Sequence, residues 1–169
     1  GRKKNISKLT EQLTMLGLEV DSAVSLKKDY CIDIDLTPNR GDCFSVLGVA
    51  REIAADDCIK LKKEKTLKVN FSGKPSTNVT IKDYDACPRY CFTEISKLSL
   101  KDRNNKVKKL PEFISYRLEI AGINSINPIV DILNYVMLDI GQPMHAFDKN
   151  KIDGDIQVRF AKSNEKIIL

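Results

Sequence analysis

Cys31-Ile-Asp-Ile-Asp-Leu-Thr-Pro-Asn-Arg-Gly-Asp-Cys-Phe-Ser-Val-Leu-Gly-Val-Ala-Arg-Glu-Ile-Ala-Ala-Asp56 changes its period halfway. Cys31 to Leu36 alternate apolar and polar side chains, which predicts a half-buried strand. Thr37 to Asp42 are dense in turn residues: proline presets φ, while asparagine and glycine tolerate left-handed geometry. Asp42 is then the expected cap of a helix carrying Phe44, Leu47, Ala50, Ile53 and Ala54 inward and ending near Asp56. The two acids of the strand, Asp33 and Asp35, fall on one face, expected to be the solvated one.

Upstream, Leu9, Leu13 and Leu16 fall on one helical face over Lys8–Leu16, with Ser7 as expected cap and Gly17 as stop. Leu18 to Val20 follow, then a polar stretch through Asp29. Helix, strand, turn and helix make a compact unit, 1–59, with the lysine-rich segment Lys60–Lys68 as its exit.

Downstream, 60–169 reads as a second domain. Strands are predicted over Thr66–Phe71, Asn78–Lys82 and Arg89–Leu100, the last rich in Tyr, Phe, Thr and Ile. Asp83 and Asp85 belong to a turn, and a charged loop spans Lys101–Lys109. Pro111 starts a helix carrying Phe113, Ile114, Leu118 and Ile120, ended by Gly122. Asn127 and Pro128 cap and start another, with Ile129, Ile132, Leu133, Val136 and Ile140 inward and Gly141 as stop. Ile156, Val158 and Phe160 alternate as a last strand. Strands and helices do not alternate regularly, so the fold class is α+β.

Hydrophobic residues make up 42% of the 169 and charged residues 30%, enough apolar content for a core. The net charge of +5 is compatible with nucleic acid and equally with ordinary solvated lysine. Five cysteines, Cys31, Cys43, Cys58, Cys87 and Cys91, do not form two close pairs, which argues against a zinc site and for reduced thiols in a cytosolic protein. No apolar run approaches the length of a membrane-spanning helix, and no signal peptide is visible. The chain opens on Gly1 and closes inside the apolar Ile167-Ile168-Leu169, so a piece of a longer protein is expected.

No phosphate loop and no nucleophile elbow is present. The strongest chemical candidate is His145, the only histidine, in the turn after Gly141. Imidazole alone titrates near neutrality when unperturbed, although a structural hydrogen-bonding histidine is the plainer alternative. Asn134 is polar on an otherwise apolar helix, so it either ties down a loop or meets a ligand. Asn134 and His145 flank one helix end and are expected to line one pocket.

Leu36 through Ala55 resembles the conserved segment of the first domain of bacterial phenylalanyl-tRNA synthetase β subunits. Cys87–Tyr90, Ala121–Ile123, Ile126–Asn127, Val130–Asp131 and Asn134 through Asp148 resemble the editing region of the same family, in the same order and spacing. The resemblance implies a small winged-helix-like first domain. A partial α+β editing domain with a mixed sheet and two helices would follow it. It implies a cytoplasmic (αβ)2 heterotetramer with an α subunit that joins phenylalanine to tRNA(Phe) using ATP and magnesium. No cofactor is expected in this fragment, and neither a membrane nor DNA as partner. By the motif match His145 takes the place of the editing histidine and Asn134 that of a pocket asparagine, in a domain that hydrolyses tyrosyl-tRNA(Phe).

Three departures qualify the match. Leu133 replaces the usual threonine, Asn124 stands where many members carry an arginine, and near Ser22–Lys28 the RNA-binding OB insert of most members is absent. The fragment alone is expected to lack aminoacylation and to show weak or no editing. A non-catalytic scaffold binding tRNA or the α subunit is the rival reading. A free-standing deacylase is a third, disfavoured by the Thr37–Ala55 segment.

Overall fold

The structure, a computed structural model, describes residues 5–27, 29–62, 68–101 and 103–167. The extreme termini, the middle of the Lys60–Lys68 exit, the start of the Thr66–Phe71 strand and Asp102 of the charged loop lie outside the described residues. The fold is mixed α and β, in two compact units. One comprises the described residues of Gly1–Lys65 and Lys106–Ala146, the other those of Thr66–Asn105 and Phe147–Leu169. Packing therefore divides the chain differently from the expected 1–59 and 60–169, because the two downstream helices build one unit with the first 60 residues.

In the first unit, helix α1 (Ile6–Met15) is capped by Asn5, whose side chain accepts from the Ser7 amide at 2.9 Å. The expected cap, Ser7, instead lies inside the first turn, where its carbonyl accepts from the Thr10 hydroxyl at 3.0 Å. Gly17, at φ +78°, ends the helix as expected.

Strands β1 (Glu19–Ser25) and β2 (Tyr30–Asp35) form an antiparallel hairpin closed by the Leu26 amide donating to the Asp29 carbonyl at 2.8 Å. Strand β1 occupies the stretch read as merely polar. Its side chains are exposed except for Val20, so no alternation marked it, and the register slips at Asp21 between Val20 and Ser22. Asp33 and Asp35 are exposed, as expected.

Arg40 leads into a 3-10 turn at Gly41–Cys43, and helix α2 follows (Val46–Asp56). Ser45, not Asp42, caps α2, accepting from the Gly48 amide at 2.9 Å. The three extra residues of the turn carry Asp42 away from the helix start. They also rotate the buried face of α2: Phe44 is 61% exposed and Leu47 is exposed, while Gly48, Val49, Ile53 and Ala54 face inward. Leu13, Leu18 and Cys43 are the buried centre, with Leu9, Val20, Ile32, Ile34, Val49 and Ile53 packed around them.

Helix α3 (Glu112–Ile120) buries Ile114 and Leu118, four residues apart, and Gly122 at φ +70° follows its end. Helix α4 (Pro128–Ile140) starts as read, with the Asn127 side chain accepting from Ile129 and Val130 amides and Pro128 in the first turn. Its expected inward set is only partly so, since Ile132 and Ile140 are exposed.

The second unit holds strands β3 (Val79–Ile81) and β4 (Ile156–Val158), paired in parallel. This sheet is two-stranded and parallel, not mixed. Asp155 accepts from the Asn78 amide at 3.1 Å and so pins the first rung. Phe160, read as strand, is exposed beyond β4. Among the described residues Arg89–Leu100 forms no strand, and neither do residues 68–71. β-propensity expresses packing against neighbours rather than an intrinsic preference, and no partner strand flanks Arg89–Leu100.

A methyl group at Gly48 would sit 2.2 Å from the Asp42 carbonyl oxygen and 2.9 Å from the Cys43 Cα, both backbone. Gly48→Ala is therefore expected to destabilise the protein by about 2 kcal/mol or more, read as a lowered urea midpoint. Gly41→Ala, where open space surrounds the added carbon, is its control.

Candidate functional site

The sequence-predicted residues all fall in the first unit, on or beside α4. Asp131, 2% exposed, is its buried anchor. The Ser125 hydroxyl donates to one Asp131 oxygen at 2.5 Å and the Ile126 amide to the other at 2.9 Å. A buried carboxylate is tolerated when its lone pairs are filled in this way. The same two bonds fix the segment that carries Asn124, which is exposed.

Leu133 and Asn134 are half-buried in the middle of α4. Asn134 makes no side-chain hydrogen bond to the described residues, so of the two roles left open for it, tying down a loop is not the one seen. It lies six residues before the last helical residue, Ile140, or about 9 Å along the axis at 1.5 Å per residue. It is thus placed on the flank of α4, away from the helix end.

Gly141 ends α4 in the left-handed conformation at φ +78°. A side chain there would also meet Ser45 at 3.2 Å. The end of α4 therefore rests on the turn that starts α2, and the loop from residue 142 leaves from this contact. His145 sits on that loop and is exposed. Two surface cavities involve neither Asn134 nor His145. One, about 550 Å³, lies between α1 and β1, and the other, about 160 Å³, lies beside β4.

Sequence reasoning missed a polar cluster at the β2–α2 joint. The Arg40 guanidinium donates to both Asp42 oxygens at 3.1 Å and to the Cys43 sulfur at 2.9 Å, and pairs with Glu52 at 3.0 Å. In the sequence, Arg40 and Asp42 read as turn and cap residues. The available signal was an arginine two residues before an acid, with a second acid, Glu52, in the helix that follows. The Arg40 hydrogen bond holds the Asp42 carboxyl down at about 2, and the two acids raise the guanidinium further above its already high value. Burial first, and then the Asp42 hydrogen bond, push the Cys43 thiol up, so it stays protonated and unreactive.

The second unit carries two exposed pairs of the same kind. Glu94 accepts from the Ser76 amide and hydroxyl and is paired with Lys149, which together hold it at about 2, Lys149 leading. Glu165 is held at about 2 by Arg159, with donor–acceptor distances of 2.6 and 2.8 Å.

A family model described as the B3/4 domain matches residues 86–169. The chain is similar to phenylalanine–tRNA ligase beta subunits. That of Legionella pneumophila (strain Lens) is 42% identical over 154 residues, 91% of this chain and 18% of the relative. That of Coxiella burnetii is 43% identical over 141 residues, 83% of this chain and 17% of the relative. That of Aliivibrio fischeri is 42% identical over 156 residues, 92% and 19% respectively. The chain spans less than a fifth of the length of these curated relatives.

Three carboxyls held below their ordinary range give stability that is complete above pH ~5.5 and is lost progressively from there as pH falls through about 2. The urea midpoint is expected to drop across that window. Arg40→Met, which releases Asp42 to an ordinary value, is expected to make the drop of the first unit shallower, as followed by tyrosine fluorescence over a pH series.

Proposed function

This chain belongs to the phenylalanine–tRNA ligase beta-subunit family, with residues 86–169 as a B3/4 domain, and on that premise we propose its function. It contributes to a phenylalanyl-tRNA aminoacylation complex and to hydrolytic removal of tyrosine from mischarged tRNA(Phe). The observation that supports the hydrolytic part is the exposure of His145 on a loop launched from the Gly141–Ser45 contact. A ring sealed in apolar packing could not meet an ester.

In this reading α1, β1, β2 and α2 form a winged-helix-like first domain, and the B3/4 segment is the opening part of an editing domain. The β1–β2 turn at Leu26–Asp29 closes the hairpin where most members carry the OB insert. The partners are the α subunit, in a cytoplasmic (αβ)2 heterotetramer, and tRNA(Phe). Asp42, Cys43 and Glu52 are the potential metal donors that come together among the described residues, and they surround the Arg40 guanidinium. A cluster already filled by a fixed cation does not fit Mg²⁺. ATP and Mg²⁺ of the intact enzyme belong to the α subunit.

The chemistry asked of this chain is modest. A water attacks the ester carbonyl carbon while the His145 imidazole takes its proton, and the resulting imidazolium returns that proton to the ribose oxygen as the carbonyl carbon–ribose oxygen bond breaks, releasing tyrosine and tRNA with a free ribose hydroxyl. Positioning supplies most of the acceleration of such a reaction. On this reading Leu133 and Asn134 offer a wall from the flank of α4, whereas Asn124, before the start of that helix, lies at the end opposite to His145. A wall built to bond the tyrosine hydroxyl can reject phenylalanine by roughly 10⁴–10⁵, which an apolar pocket cannot do in reverse.

A second reading, a non-catalytic module that binds tRNA or the α subunit, is favoured by Leu133 and Asn124 and by the mid-helix position of Asn134. The two separate in an intact ligase carrying His145→Ala in its beta subunit. Deacylation of tyrosyl-tRNA(Phe) is expected to fall by on the order of 10²–10⁴. Unchanged deacylation would leave the module reading standing and end the catalytic one.

A further inference from the structure

Helix α1 sorts its side chains around its axis. Leu9 and Leu13 pack into the core, and Gln12 reaches the end of α2, donating to Asp56 and Asp57. Thr10, Glu11, Thr14 and Met15 share a further arc of about 140° at 100° per residue. That arc and β1 bound the open groove of about 550 Å³. Its other wall is Val20, Asp21, Ser22 and Ala23. Val20 and Ala23 stand opposite Ile34 and Ile32 on the core side of the hairpin, while Ser22 stands opposite Asp33 on the other side. Successive strand side chains alternate between faces, so a groove lined from both faces runs along the edge of the strand.

That edge is open. Strand β1 pairs with β2 alone, and the backbone groups on its other side have no backbone partner among the described residues. A row of unpaired amides and carbonyls is a template for a further strand, and natural edges are blunted by lysine, proline or a bulge. Glu19–Ser25 carries neither lysine nor proline, and its one irregularity is the slip at Asp21. Met15, 82% exposed, adds an adaptable apolar side chain beside the edge. Charge narrows the occupant. Glu11 and Asp21 line the groove without an ion pair or side-chain hydrogen bond among the described residues. No lysine or arginine lines it, in a chain whose net charge is +5. A nucleic acid is repelled there and a cationic segment attracted. Four strand residues span about 13 Å, and the wall of α1 from Ser7 to Met15 spans about 12 Å at 1.5 Å per residue.

We propose that the groove between α1 and the free edge of β1 docks an extended, lysine- or arginine-bearing segment of a partner polypeptide, which adds to β1 as a third strand. Backbone hydrogen bonds to the edge supply the affinity, and alternate side chains supply the specificity. One set of partner side chains lies on Met15, Thr10 and Thr14, and the cations meet Glu11 and Asp21. Four residues of added strand bury far less than the roughly 1,000 Å² of a stable interface, so the contact is weak and salt-sensitive. The proposal is independent of the readings of His145 and of tRNA.

The test is fluorescence anisotropy of the chain with a labelled peptide of about ten residues that alternates lysine and valine. This peptide should bind, and a glutamate–valine peptide should not. The lysine–valine peptide methylated at every backbone nitrogen keeps its charge and apolar surface but has no amide donor. It should bind more weakly by on the order of tenfold. Glu11→Lys and Asp21→Lys should each weaken binding of the unmethylated peptide by a similar, roughly tenfold factor. Glu119→Lys, which changes an exposed acid of α3 outside the groove, should leave it unchanged. Unaltered melting temperatures check that the variants fold, and Glu11→Lys, on a solvated helix face, keeps the test intact should Asp21→Lys disturb the hairpin. Amide hydrogen exchange should slow within residues 19–25 when the peptide binds. No binding of the lysine–valine peptide overturns the proposal. So does equal affinity of the methylated peptide, which would reduce the contact to charge attraction. Sedimentation of the chain alone gives the remaining outcome: self-association abolished by Asp21→Lys would assign the groove to a second copy and overturn the partner segment.

Discussion

Of the described glycines in the first unit, Gly48 stands tightest against other backbone, since a Cβ there would collide with the Asp42 carbonyl and the Cys43 Cα. Most of the unit depends on it. With no Cβ at Gly48, α2 can lie directly on the turn that follows β2. That brings Val49 and Ile53 onto Leu13, Leu18 and Cys43. The Ser45 hydroxyl closes the joint from one side by accepting from the Gly48 amide. Arg40 closes it from the other, bridging the turn acid Asp42 to Glu52 on the helix. These ion pairs are solvated and contribute little as isolated Coulomb terms. Their effect is geometric: one planar guanidinium satisfies groups from the turn and from α2 at once, which sets the angle between them.

The same joint carries the candidate site. Gly141 ends α4 against Ser45, so the residue that caps α2 also supports the stop of α4. At the opposite end Asp131 holds Ser125 and Ile126. Helix α4 is thus tied at one end by a buried carboxylate and at the other by a close glycine contact. Side chains along it and just beyond it inherit that rigidity, which a site requires of its scaffold. Asn127 and Pro128 add to this by starting the helix at a defined residue.

What was legible in the sequence follows from whether the deciding interaction is local. Gly17, Gly122 and Gly141 end their helices as read, and Asn127 caps as read, because the chemistry of a cap lies within a few residues. Strands β2 and β4 are visible by alternation, and β3 falls within the strand expected over Asn78–Lys82. Strand β1 is not visible, since a solvated hairpin strand has no alternating burial to display. The Arg89–Leu100 strand was overread because aromatic and β-branched content was taken without a partner. Asp42 was misassigned as a cap, since an aspartate before an apolar run suits a cap and an ion pair equally, and only Glu52 and Arg40 in space decide. The loop that carries His145 was legible from the Gly141 stop, and it is exposed. The contact of Arg117 and Phe113 with Tyr135 was not legible, because its three members come from two helices whose packing no local pattern specifies.

Leu133 and Asn124 pose the sharpest chemical question about this family member. Selecting tyrosine over phenylalanine by its hydroxyl depends on polar wall groups that would be left unpaired by the wrong ligand. A leucine offers none, and Asn124 offers an amide in place of a delocalised cation. Asn134 supplies both a donor and an acceptor and, half-buried on α4, makes no hydrogen bond to the described residues. An amide in that state loses little by waiting in water and gains a partner when a hydroxyl arrives. On the proposed editing reading, discrimination between tyrosine and phenylalanine is concentrated on this one side chain rather than shared with its neighbours.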